Sequence, residues 1–338
     1  MSSIRGLLVT EYTHFNNLEI NEIPRVNLGP KQVRIRVKAA GVSFSTKLVV
    51  EGKYQRKPPL PFTPGTECAG EIIEVGTDVS RFKPGDRIFA ALDWGAYAEE
   101  AVAEEVNTYH LTDSLKFSQA VNFNSYATAM AALTWPRLLN VQKGETLLVH
   151  GAAGAVGLAT LELGKILKAT VIGTVSSPEK QTKALEHGAD HVINHCDEDF
   201  RSKVLEITNG DGANAILDPV GGRTFDKSLR CLAFEGRICP IGFTGGEANK
   251  VPSNIILVKN ISVVGLNFGT YYGWGPQDIR FESESLVRDI MGRFCLFADQ
   301  GLVNPVVCAE FPLHSFRDAM SLVESRDSMG RVALVMNN

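Results

Sequence analysis

The chain has 338 residues, 44% of them hydrophobic and 21% charged, a globular composition with length enough for two compact domains, which excludes disorder and fibrous structure. Thirty-four basic residues stand against 38 acidic ones, and the net charge of −4 gives no broad attraction to nucleic acid or to an anionic membrane. No apolar run reaches membrane-spanning length and neither end carries a recognisable address, so the expected location is cytoplasmic.

From Ile4 to about Asn107 the apolar residues fall in short alternating runs, such as "QVRIRVKAAGV" and "AGEIIEVG", punctuated by proline and glycine. This is the pattern of a β-rich unit, read as a barrel. Within it "KPPLPFTPG" has the prolines of a polyproline ligand, but its place between two expected strands favours a rigid loop. After "KFSQAVNFNSYATAMAALTWPRLL" the spacing turns helical, and "KGETLLVHG" opens an alternation of strands and helices. Strands are expected at Thr146–Gly151, Thr170–Val175, His191–Asn194, Ala213–Asp218, Arg237–Gly242 and Ile261–Leu266. Helices between strands demand parallel pairing, hence a doubly wound sheet. The final stretch from "NPVVCAEF" reads strand, helix, strand and is expected to rejoin the first domain. The expected division is 1–124, 125–266 and 267–338, the last part returning to the domain formed by the first.

The turn "GAAGAVGLA" carries the dinucleotide pattern G-x-G-x-x-G with its first position changed to Ala152, followed by Gly154 and Gly157. Gly154 allows backbone to approach a pyrophosphate, Gly157 allows the helix to pack on the strand, and the helix amino terminus faces the anion. NAD-preferring sites end the second strand with Asp or Glu; here the residues are Ser176 and Ser177, with Lys180 close by. A carboxylate would repel a ribose phosphate, whereas hydroxyls and an ammonium would hold it, so the expected cofactor is NADPH.

His187, His191 and His195 recur at helical spacing, but Gly188 ends a helix and "HVIN" is a strand, so the rings are not expected to share a face or a metal. The six cysteines are scattered, without a Cys-x-x-Cys pair, and read as reduced thiols.

Together with "FKPGDRIFA", "SYATAMAAL", "KALEHGADHVINH", "LDPVGGRTFDKSL" and "FEGRICPIGFTGG", these segments resemble the medium-chain dehydrogenases/reductases, specifically their zinc-free quinone oxidoreductase branch, over nearly the whole chain. The resemblance implies an α/β protein with a GroES-like β-barrel domain, a Rossmann domain and a homodimer, whose pairing edge would be "ISVVGLNFG". Zinc-dependent relatives carry cysteine and histidine where this chain has Ser43 and Thr66, and hydroxyls are poor zinc ligands, so no metal is expected.

Carried over, the resemblance puts Thr128 near the nicotinamide, Gly154, Ala155, Val156 and Gly157 at the pyrophosphate, and Ser176, Lys180 and His195 around the adenosine phosphate. Phe44, Val220, Phe243, Asn267, Gly269 and Arg326 complete the implied cofactor contacts. Relatives usually read N-F-x-D where this chain reads Ser43-Phe44-Ser45-Thr46, losing an amide and a carboxylate. Tyr54 matches a tyrosine that overhangs the nicotinamide in related reductases. A phenol there could orient a carbonyl or donate a proton, with Ser43 and Thr46 sharing the polar work, or it could simply pack in a turn.

The expected activity is NADPH-dependent hydride transfer, in a dry cleft, to a quinone or a related conjugated carbonyl compound, without metal. One rival is an enone or 2-enoyl thioester reductase, for which Lys47, Lys53, Arg56 and Lys57 would supply a basic mouth. The other is an NADPH-binding protein with little turnover, kept open by the lost N-F-x-D pair. The aromatic "GTYYGWGPQ" could border the cleft or pack a dimer interface.

Overall fold

The computed structural model describes residues 3–336, which divide into two compact units, 3–124 with 269–336, and 125–268. The first unit begins with β1 (Ser3–Leu7), β2 (Ile20–Pro24), β3 (Gln32–Val42), α1 (Phe44–Val50), β4 (Glu67–Val75), β5 (Arg87–Ala91), β6 (Glu100–Glu104) and β7 (Thr108–His110). Helices α2 (Phe117–Ala120) and α3 (Phe123–Thr134) follow. The second unit continues with β8 (Thr146–Val149), α4 (Ala155–Ile166), β9 (Thr170–Val175), α5 (Pro178–Glu186), β10 (His191–Asn194), α6 (Phe200–Ile207), β11 (Ala213–Asp218), α7 (Arg223–Cys231), β12 (Leu232–Pro240), α8 (Ser253–Lys259) and β13 (Ser262–Val263). The chain then adds α9 (Glu284–Asp299), β14 (Val307–Pro312), α10 (Phe316–Ser325) and β15 (Arg331–Val335) to the first unit.

In the first unit the long strand β3 is the spine. Its β-branched run pairs antiparallel with β4, β6 and β15, in a sheet ordered β14-β15-β3-β4-β5-β7. Val33, Ile35, Val37, Ile72 and Leu334 are buried in its core. Phe316, Ala319 and Met320, spaced as one helical face, bring α10 onto that core. The final strand therefore belongs to the same sheet as the third. Between β3 and β4, where alternation suggested only strand and loop, α1 forms because Ser43 caps it: its hydroxyl accepts from the Thr46 amide at 3.3 Å.

The second unit is a parallel sheet ordered β10-β9-β8-β11-β12-β13, that is 3-2-1-4-5-6 counted from β8. Leu148, Ile172, Ile193, Ile216 and Ile238 form its buried centre. The order reverses between β8 and β11, the switch point beyond whose strand ends ligands bind in such sheets. Two expectations need correction. Strand β12 starts at Leu232 rather than Arg237, because it pairs with Ala213 before a register shift. The sixth strand is only Ser262–Val263, since the chain leaves the sheet after pairing Arg237 and Ile238.

Candidate active site

The glycine turn lies at the carboxyl end of β8. A Cβ at Gly157 would come within 2.3 Å of the Gly151 carbonyl oxygen and 2.7 Å of Ala152 backbone, so α4 packs against the turn with no space for a side chain. At Gly154, which caps α4, the nearest atom to such a Cβ is the Gly151 oxygen at 3.3 Å, and the surroundings are otherwise open. This is the pair of demands a dinucleotide turn makes: one glycine for packing, one for an approaching ligand. Ala155 and Val156, half-buried, open the helix.

Beside it, Ser177 caps α5, Pro178 takes the first helical position, and the Lys180 ammonium donates to the Ser176 hydroxyl at 3.2 Å. Glu179, the acidic residue of the helix's first turn, bonds to Ser177 and to its own backbone amide, which holds its carboxyl below the usual range. His195 is exposed, and its amide donates to the Val175 carbonyl at 2.9 Å, which sets it next to Ser176. After β11, the Asp218 carboxylate accepts from the Val220 and Gly221 amides at 2.8 and 3.0 Å. Thr244 and Gly245 bond back to Pro219 and Val220, so the half-exposed Phe243 sits on that turn. Gly154, Ala155, Val156, Gly157, Ser176, Lys180, His195, Val220 and Phe243 thus all follow carboxyl ends of the parallel strands. Thr128 is half-buried on α3, and Asn267 is exposed after β13. Gly269, within a short helical turn, and Arg326, left-handed at the end of α10 with φ of 65°, belong to the other unit, as does Phe44.

Two buried networks behind the turn have no local sequence signal. The Tyr126 hydroxyl donates to Glu162 Oε2 at 2.6 Å, and His187 Nδ1 meets Glu162 Oε1 at 2.7 Å, tying α3, which carries Thr128, to α4. Next to the turn, His150 Nε2 lies 2.8 Å from the Ser228 hydroxyl and Nδ1 lies 2.9 Å from that of Thr174. Ser228 donates to the Thr224 carbonyl, so it accepts from Nε2–H, and Nδ1 is the acceptor for Thr174. Burial, only partly offset by Asp218, pushes this imidazole from 6.5 down to about 4. The folded chain then binds fewer protons than the unfolded one, so stability is lost as pH falls from 6.5 toward 4, by about 3 kcal/mol. Unfolding free energies of wild type and His150→Asn across that window check this: equal slopes would refute it.

The first unit holds a pocket open to solvent, lined by Tyr54, Trp94, Trp274, Phe62, Val49 and three prolines or glycines, with Ser45, Thr46 and Thr66 contributing hydroxyls and Arg56 and Asp93 charge. Tyr54 is half-buried; its hydroxyl has no hydrogen-bond partner among the described residues, and burial raises its pKa. Of the three residues expected to do polar work, Tyr54 and Thr46 line the pocket. Ser43 stands behind them as the cap of α1, its hydroxyl 2.8 Å from that of Ser45 and 3.0 Å from that of Thr46. A hydroxyl cluster, which Tyr97 joins through Thr46, therefore stands where the resemblance implies an amide and a carboxylate.

Residues 29–115 match the alcohol dehydrogenase GroES-like domain and residues 155–283 the zinc-binding dehydrogenase domain. The chain is 39% identical over 332 residues to quinone oxidoreductase-like protein 2 of Mus musculus, covering 98% of this chain and 91% of that one. It belongs to the quinone oxidoreductase-like family of medium-chain dehydrogenases/reductases. A homologue from Nematostella vectensis is 40% identical over 311 residues, covering 91% of this chain and 82% of that protein. The structure of Escherichia coli quinone oxidoreductase complexed with NADPH superposes with a TM-score of 0.88 at 27% identity, covering 98% and 99% of the two chains.

Although one matched domain is named for zinc, the donors here do not fit that ion. Ser43 and Thr66 are hydroxyls, and Ser43 is already committed to its helix. Glu67, next to Thr66, is buried in an ion pair with Arg331, and no group of three or more His, Cys, Asp or Glu among the described residues could hold a metal. Nor is any described helix long and apolar enough to cross a membrane.

Proposed function

We infer that this family member is an NADPH-dependent reductase of quinones or closely related conjugated carbonyl compounds. The observation that carries the reading is the pocket of the first unit: aromatic walls, a phenol without a partner among the described residues, and hydroxyls where a zinc enzyme needs metal ligands. The serine and lysine at the end of β9 support the phosphorylated cofactor. When bound, NADPH supplies a hydride, two electrons with one proton; the acceptor takes a second proton from solvent, so a quinone leaves as a hydroquinone and the cofactor as NADP⁺.

Tyr54 acts here as a hydrogen-bond donor. A phenol is protonated at neutral pH, and burial, which raises its pKa further, keeps it so; there it can hold a carbonyl oxygen and the negative charge that develops on it. Tyr54→Phe is expected to lower kcat/KM by about 10- to 100-fold with an unchanged NADPH dissociation constant. Full activity in that variant with every accepted quinone would remove the role.

The thioester rival loses support from the charges around the pocket. Lys47 pairs with Glu51 and Glu324, Lys53 with Glu51, and Arg56 with Asp93, so three of the four cations that would meet coenzyme A phosphates are already neutralised. Failure of free coenzyme A to compete with a quinone is the corresponding expectation.

A further inference from the structure

The hydroxyls that α1 brings to the pocket belong to a chain whose protons all have to point one way. It is anchored at Tyr97, 1% exposed, whose ring lies against the lining residue Gly65: a Cβ there, at φ of +93°, would sit 2.5 Å from Tyr97 Cδ1. The Tyr97 hydroxyl donates to the Gly41 carbonyl at 3.0 Å. A carbonyl only accepts, and burial raises the phenol well above its ordinary pKa, so its single proton is committed to that bond. The Tyr97 oxygen is therefore the acceptor for the Thr46 hydroxyl, which meets it from α1. With the Thr46 proton used there, the 3.0 Å contact between Thr46 and Ser43 takes the Ser43 proton. With that proton used in turn, the 2.8 Å contact between Ser43 and Ser45 takes the proton of Ser45.

Ser43 is then fully used: it donates to Thr46 and accepts from Ser45 and from the Thr46 amide. The opposite order, Thr46 to Ser43 to Ser45, would leave the buried Tyr97 oxygen facing the Thr46 oxygen with no proton between them, an unpaired contact that burial makes costly. What the chain leaves at the pocket is lone pairs. Ser45, half-buried, and Thr46 both line it; the first keeps two unused lone pairs, the second one, and neither has a proton to give.

We propose that the α1 wall of this pocket only accepts, so that Ser45 receives an O–H or N–H carried by the ligand, and that Tyr97 is the positioning residue that orients it. This rests on the reading of the pocket as the acceptor site and adds a polarity to it. The wall cannot supply the second proton of a reduction, which comes from solvent, and it holds the hydroxyl-bearing reduced molecule more tightly than the oxidised parent.

The test uses the full chain without cofactor and two probes, 4-hydroxyacetophenone and its methyl ether 4-methoxyacetophenone, which share a ring and a carbonyl and differ in one O–H. Both are titrated calorimetrically below neutral pH, where the phenol is un-ionised. Wild type is expected to bind the phenol about five- to tenfold more tightly than the ether. Ser45→Ala is expected to abolish that ratio by weakening the phenol alone, with the ether, the NADPH dissociation constant and the thermal midpoint unchanged. Tyr97→Phe frees the Thr46 proton and lets the chain reverse; it is expected to lower the ratio in a protein that still binds the ether. Should that variant not fold, the serine variant decides alone. Equal binding of the two probes by wild type, equal weakening of both by Ser45→Ala, or a ratio untouched by Tyr97→Phe overturns the proposal. If the ratio responds as expected but no quinone oxidises NADPH, the inference stands and the functional reading fails.

Discussion

Ser176→Asp combined with Lys180→Ala is expected to weaken NADPH by about a hundredfold and NADH by far less, reversing the cofactor preference. The two side chains touch at 3.2 Å at the end of β9, and His195 is held beside them through the Val175 carbonyl. Deleting the ammonium removes a charge-assisted bond to the ribose phosphate; the new carboxylate adds repulsion to that phosphate and offers an acceptor to the two hydroxyls of an unphosphorylated ribose. Ser177 is left in place because it caps α5, and its loss would unwind the helix rather than test the cofactor. Titration of both nucleotides by cofactor fluorescence gives the ratio directly. An unchanged NADPH constant would mean that the phosphate is held elsewhere.

Arg331→Met is expected to destabilise the first unit by about 3–5 kcal/mol, the largest effect on stability foreseen for a single substitution here. Arg331 pairs with Glu67, both nearly inaccessible, and the pair fills the space in front of Gly41, where a Cβ would meet both side chains. Burial depresses the guanidinium to about 10, which leaves it charged at neutral pH against the Glu67 carboxylate. Removing the arginine strands Glu67 at the head of β4, one residue after Thr66 in the pocket lining. The double variant Glu67→Leu with Arg331→Met replaces both charges by apolar atoms and is expected to recover most of the loss. Denaturant midpoints of the three proteins decide it; a double variant no better than the single would assign the loss to packing.

Local chemistry made much of this legible. The glycine turn, the serine in place of an acid and the strand–helix alternation each follow from a backbone or charge requirement within a few residues. They imply the parallel sheet and the glycine turn after its first strand. The short edge strand and the early start of β12 were not legible, because they depend on register against neighbouring strands rather than on hydropathy. The helix α1 is equally hidden: only seven residues long, it leaves no periodic signal beyond the capping hydroxyl of Ser43. Least visible was the wall of the pocket. Asp93 meets Arg280 across 187 positions of sequence, and His150 meets Ser228 across 78, so nothing local announces either pair.

The measurement that tests the central claim most directly is the loss of NADPH absorbance, with NADH in parallel, on mixing the purified protein with ortho-quinones, para-quinones, enones and enoyl thioesters. The account predicts oxidation of NADPH with quinones, at a kcat/KM well above that with NADH and without added metal. Tight NADPH binding with no oxidation by any acceptor, or turnover confined to thioesters, would contradict it.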